Sequence, residues 1–180
     1  TPNTPEGFVA DQSILKFEFA ARGSKPPVTL NWFEGGLKPE IRPEWGLTEL
    51  PEGEGGMIMV GDKISLITGS RPNEPKLIVP EEQWLEFQKN KPAETIPRVI
   101  GGPRAEWFRA IKGEGPMPGS NFDYSTRLNE MTVLGVLAQR FDTLIEYDAA
   151  NMKVTNHPEL DAFIKEPVRS GWSYGEDLWT

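Results

Sequence analysis

The chain contains no cysteine. Disulfides, thiol nucleophiles and thiolate metal sites are therefore excluded. Histidine occurs once, as His157, which rules out a multi-histidine metal cage. Basic residues are in deficit: 19 Lys and Arg stand against 27 Asp and Glu, a formal net charge of −8. A nucleic-acid backbone or an anionic membrane surface needs clustered Lys and Arg, so neither is expected as a partner. Long apolar runs are also missing. The longest nearly uncharged stretch, Met131 to Ala138, falls far short of the ~20 residues of a membrane span. The opening Thr1-Pro2-Asn3 has neither the basic start nor the apolar run of a secretion signal. A first residue other than Met leads us to expect a fragment or a processed product.

What is present fits one folded domain over residues 1–180. Hydrophobic residues make up 37% and charged residues 26%, enough apolar surface for a core. The 18 Gly and 17 Pro predict long irregular connections. Ser13 to Phe19 alternates, with Leu15, Phe17 and Phe19 on one side and Lys16 and Glu18 on the other. This is the period of a half-buried strand. Pro27 to Phe33 repeats the pattern with Val28, Leu30 and Trp32, and the short Gly23-Ser24-Lys25-Pro26 link makes the two strands antiparallel neighbours. A loop from Glu34 to Gly55 follows. Gly56–Gly61 and Lys63–Thr68 flank Gly61-Asp62, which predicts a two-residue hairpin of type II′. Lys76 to Val79 reads as a further short strand.

The second half is helical. Pro80 and the acids behind it favour a helix start, and that helix runs to Gln88. Arg104 to Lys112 places Trp107, Phe108 and Ile111 on one side and stops at Gly113, a helix-terminating glycine. The longest helix spans Tyr124 to Phe141. Its stripe of Leu128, Met131, Leu134, Ala138 and Phe141 is widened by Val133 and Leu137, so burial on more than one side is expected. Gly135 inside it costs ~1 kcal/mol against Ala, which a close approach to the sheet would explain. Thr143–Tyr147 and Met152–Thr155 read as short strands, and Pro158 opens a last helix ending before Pro167. Strands first and helices afterwards give an α+β fold: a mostly antiparallel open sheet with helices packed on one face. The other face, carrying Ile14, Phe33, Ile58 and Ile67, is left free for a partner.

Chemical motifs are sparse. Gly53-Glu54-Gly55 and Gly113-Glu114-Gly115 do not complete a dinucleotide-binding glycine pattern, and no Gly-Lys-Ser/Thr or Gly-x-Ser-x-Gly occurs. His157, before Pro158, reads as a helix cap. The most informative stretch is Ser120 to Glu130. Asn121, Asp123 and Ser125 all compete to cap the long helix, and a polar cluster there can also meet hydroxyls or an anion. Trp32 and Trp107 fit core patterns. Trp45, Trp172 and Trp179 fall in irregular segments, where packing under loops or stacking on a sugar are both open.

An ordered set of short motifs runs through these segments. It comprises Asp11-Gln-Ser-Ile14, Pro26-Pro-Val-Thr-Leu-Asn-Trp32, Gly35-Gly-Leu-Lys-Pro39, Val60-Gly-Asp-Lys63, Ile96-Pro97, Glu106-Trp107, Lys112-Gly113, Ser120-Asn-Phe-Asp-Tyr124, Glu130-Met131, Leu134-Gly135, Asn151-Met152, Asn156 and Ser170-Gly-Trp172. The set resembles the C-terminal α/β domain of bacterial oxidoreductases of the glucose–fructose oxidoreductase / inositol dehydrogenase (Gfo/Idh/MocA) family. The resemblance implies a parent enzyme that moves a hydride between NAD or NADP and a sugar or polyol. It implies an N-terminal Rossmann domain, absent from this chain, that binds the cofactor. It also implies a homo-oligomer joined through the open sheet face, in a bacterial cytoplasm or periplasm.

The chain departs from the family at its chemistry. Lys91-Pro92 follows Asn90 instead of Glu, the Asp-x-x-x-His pattern is missing, and Gly102-Pro103-Arg104 stands where relatives read Gly-His-Tyr. The expectation is therefore a chain with no catalytic residue, no cofactor site and no metal site, inactive by itself. Its substrate contacts are expected at Asn121, Asp123, Tyr124, Arg104 and Trp107, against a sugar-like small molecule. A free-standing carbohydrate-binding or carbohydrate-active module is the alternative.

Overall fold

A computed structural model describes residues 9–50, 55–70, 75–165 and 167–172. The fold is α+β, and every described strand pairs antiparallel. The chain divides into two compact units, Thr1–Lys38 with Trp107–Thr180, and Pro39–Glu106.

In the first unit, strands β1 (Ser13–Phe19) and β2 (Val28–Glu34) form the expected hairpin. Arg22 and Lys25 exchange backbone hydrogen bonds of 3.1 and 3.0 Å. Gly23 between them has φ +58°, the positive value a two-residue turn requires. The register sets Leu15 opposite Trp32, Phe17 opposite Leu30 and Phe19 opposite Val28, so both alternating patterns share one face. At the far end, Gln12 donates its side-chain amide to the Gly35 carbonyl at 2.8 Å. Gly35 has φ +71°, and a Cβ there would sit 1.9 Å from the Asp11 carbonyl oxygen, so only glycine fits.

The long helix, here α3 (Phe122–Phe141), lies against β1. Its contact point is Gly135, whose missing side chain leaves room for Leu15 and Phe17. Two positions further on, Leu137 points to another side of the helix, since residues two apart differ by about 200° around the axis. Leu137 joins Val154 and Leu160 in a buried cluster, with Ile145, Tyr147 and Ile164 packed around it. Burial of one such leucine contributes about 2 kcal/mol. The helix thus makes contacts on two sides, but the expected stripe is not buried as a whole: of its residues only Leu137 is buried, Met131, Leu134 and Ala138 are partly covered, and Leu128 and Phe141 are exposed. Val133 remains half exposed.

The partners of Leu137 come from a compact C-terminal segment. Strands β6 (Tyr147–Asp148) and β7 (Lys153–Val154) pair across a tight turn, shorter than the sequence pattern suggests. A 3-10 turn at Pro158–Leu160 leads into α4 (Asp161–Ile164). Asp161 accepts from the Val154 amide at 2.8 Å, and Asn156 bridges the Glu146 amide and the Leu144 carbonyl. His157 occupies the expected N-cap position, but its side chain does not cap. Its ring nitrogens are taken up by side chains instead, Thr143 Oγ1 at 3.1 Å and Glu159 Oε1 at 3.2 Å.

In the second unit, β3 (Gly56–Met59), β4 (Ser65–Gly69) and β5 (Lys76–Ile78) form a three-stranded meander. Ile58 pairs with Ile67. That register centres the reversal on Asp62-Lys63, one residue beyond the expected Gly61-Asp62, and Gly61 does not take a positive φ. Helix α1 (Glu81–Lys89) starts after Pro80 with Glu81 and Glu82 in its first turn. In the Glu34–Gly55 connection a 3-10 turn at Pro43–Trp45 buries Trp45, with the Arg42 guanidinium 5.7 Å above its ring.

Helix α2 (Gly102–Ile111) ends as expected. Gly113, with φ +71°, donates to the Ala110 carbonyl and Glu114 to the Arg109 carbonyl, the paired bonds of a Schellman motif. Two further sequence expectations fail in detail. The described strands form three small sheets, not one open sheet, because each hairpin satisfies its own ladder and alternation alone does not choose which edges join. Trp32 and Trp107 are not core residues: they are 45% and 55% exposed. α3 covers β1 and leaves Trp32 on β2 open, and Trp107 has its neighbour Phe108 as a ring partner, 5.4 Å away.

Candidate functional site

The start of α3 and the end of β1 enclose a shallow groove of about 340 Å³. Phe19, Asp123, Tyr124, Arg127, Leu128 and Met131 line it. The helix repeat explains the set: Tyr124, Leu128 and Met131 recur at the i, i+4, i+7 spacing, and Asp123 and Arg127 are one turn apart on the rim. Phe19, last residue of β1, supplies the opposite apolar wall because it shares the alternating face of Leu15 and Phe17. The groove is therefore lined by three apolar side chains together with one Tyr, one Asp and one Arg. Such a surface can stack the C–H face of a sugar ring while polar groups meet its hydroxyls.

The cap question resolves in favour of Asn121. Its Oδ1 accepts from the Tyr124 amide at 3.1 Å, and its Nδ2 donates to the Pro118 carbonyl at 2.9 Å. Ser125 instead donates to the Ser120 carbonyl at 3.1 Å. With the loop tied to the helix in this way, Asp123 and Tyr124 are held at a fixed angle on the first turn. Asp123 also lies where the helix dipole favours an anion.

Of the five residues expected to meet substrate, the structure brings Asp123 and Tyr124 together in the groove. Asn121 is their immediate neighbour, with both side-chain polar atoms engaged in the cap. Trp107 and Arg104 stand on α2 and are exposed, and Arg104 belongs to the other compact unit. Sequence reading missed Phe19, Arg127, Leu128 and Met131. The i+4 and i+7 positions counted from Asp123 and Tyr124 were the available signal for the three on the helix.

Farther along α3, Glu130 accepts from the Tyr147 hydroxyl at 2.9 Å. Partial burial and this acidic partner push the Tyr147 phenol above its ordinary value, so it stays protonated. Among the described residues, no group of three or more Asp, Glu, His or Cys could hold a metal ion. No described helix is long and apolar enough to cross a membrane. Comparison with family models, with curated proteins and with solved structures finds no match to this chain.

Proposed function

We propose that this chain is the substrate-shaping and assembly domain of an NAD(P)-dependent sugar or polyol oxidoreductase. The observation that carries the proposal is the groove in which Asp123 and Tyr124 stand over the apolar floor of Phe19, Leu128 and Met131. Asp123 would accept hydrogen bonds from ring hydroxyls, and Tyr124 would stack on the ring or bond it through its own hydroxyl. Hydride transfer needs a positioned nicotinamide and a proton acceptor near the carbinol, and a Rossmann domain of the parent enzyme would supply both.

The motifs behind the family resemblance also have work in this fold. Gln12 and Gly35 bond to each other, Asn121 caps α3, Glu130 holds Tyr147, Gly135 seats the helix on β1, and Asn156 staples the C-terminal segment. The assembly role draws on the apolar side chains left in the open. Ile14 is 61% exposed on the strand face turned away from Leu15 and Phe17, and Phe33 is its cross-strand partner.

A free-standing carbohydrate-binding module is the second reading. Exposed Trp172 favours it, although the Arg169 guanidinium already lies 4.8 Å over that ring. Burial of Trp45 removes one of its stacking candidates.

Calorimetric titration of the chain with a panel of sugars, polyols, NAD and NADP tests the proposal. The expected result is millimolar binding of a sugar or polyol that weakens at least tenfold in Asp123→Asn and Tyr124→Ala, with no nicotinamide cofactor bound. Tight NAD or NADP binding by this chain alone would contradict it.

A further inference from the structure

We propose that Arg127 makes the groove selective for a sugar bearing an anionic substituent, a carboxylate or a phosphate, an inference that rests on the sugar-groove reading above. The groove holds two charges, and only one has a local reason to be there. Asp123 lies in the first turn of α3, where the helix dipole stabilises a carboxylate. Arg127 lies one turn further in, on the helix half where a cation gains nothing from the dipole. No ion pair joins it to Asp123, and its side chain forms no hydrogen bond within the described structure. Arg127 nevertheless lines the groove beside Tyr124 and the apolar Leu128 and Met131.

A guanidinium offers a planar fork that matches a carboxylate or phosphate with two parallel hydrogen bonds. The rest of the molecule works in the opposite direction, because a net charge of −8 repels anions at long range. An anionic sugar is therefore held at this groove only if a nearby cation offsets that field, and Arg127 is the cation in its lining. Asp123, on the same rim, would face the hydroxyl end of the ring and disfavour a second anionic group. The expected ligand carries one charge at one end and hydroxyls at the other.

The test is calorimetry on the 180-residue chain with four probes: glucose, myo-inositol, glucuronate and glucose 6-phosphate. At low ionic strength, glucuronate, glucose 6-phosphate or both are expected to bind at least tenfold more tightly than the neutral pair, and which of them does so tells carboxylate from phosphate. Arg127→Gln should abolish that preference, Arg127→Lys should retain part of it, and added salt should shrink it. Arg127 is exposed and unbonded, so both variants are expected to fold, which circular dichroism checks. Equal binding of neutral and anionic sugars would overturn this inference and leave the sugar groove standing. Binding of no sugar at all would overturn both.

Discussion

Replacing Gly135 by alanine separates helix propensity from helix seating. On an exposed helix the change is stabilising by about 1 kcal/mol, because alanine loses less backbone entropy than glycine. Here the added Cβ would lie 2.7 Å from Phe17 Cζ and 3.2 Å from Leu15 Cδ1. Carbon atoms prefer separations of about 3.5–4.0 Å, so the Phe17 contact is short by nearly an ångström. The ring must rotate out of place or α3 must lift from β1. Overpacking of this kind costs about 1–3 kcal/mol, which cancels or exceeds the propensity gain. Gly135→Ala should therefore be neutral to about 2 kcal/mol destabilising in urea unfolding followed by circular dichroism. Phe17→Leu removes the clashing ring atom, so the double variant should be more stable than the sum of the two single changes, by at least about 0.5 kcal/mol. A Gly135→Ala chain that gains about 1 kcal/mol, with additive behaviour in the double variant, would refute the seating of the helix on the hairpin.

Three further outcomes are expected. Asn121→Ala removes the α3 cap and should lower stability by about 1 kcal/mol in the same assay, with Asn121→Asp close to wild type. Tyr147→Phe loses the bond to Glu130 and should cost about 1 kcal/mol. Because the Tyr147 phenol is raised above its ordinary value of 10.0, its contribution is complete below that pH and declines as the pH climbs above it. Urea midpoints of wild type and Tyr147→Phe should therefore converge as the pH rises from about 10 into strongly alkaline solution. Ile14→Lys places a charge on the open hairpin face and should shift self-association toward monomer in sedimentation velocity.

Elements whose physics is local were legible in the sequence. The alternation at Ser13–Phe19 fixed which face of β1 meets the helix, Gly23 announced the hairpin turn, and Gly113 the end of α2. Gly135 was legible as well, because a glycine inside a strong apolar helix needs a close neighbour to justify it. What escaped reading depended on partners distant in sequence. Nothing in the pattern of Trp107, Phe108 and Ile111 says whether another element covers that stripe, and none does so fully. Alternation equally failed to say that the hairpins would close into three sheets. At the groove, Asp123 and Tyr124 were found because polar residues cluster at a helix start. Arg127 and Phe19 were missed because their roles come from the docking of β1 beside α3.

Residue-resolved NMR of the labelled chain during titration with a sugar and, separately, with NAD or NADP tests the proposed division of labour most directly. The expected result is that the sugar shifts the amides of Phe19, Asp123, Tyr124 and Met131 and that the nicotinamide cofactor shifts none of them. Saturable shifts produced by the cofactor, or sugar-induced shifts confined to residues away from α3, would contradict it.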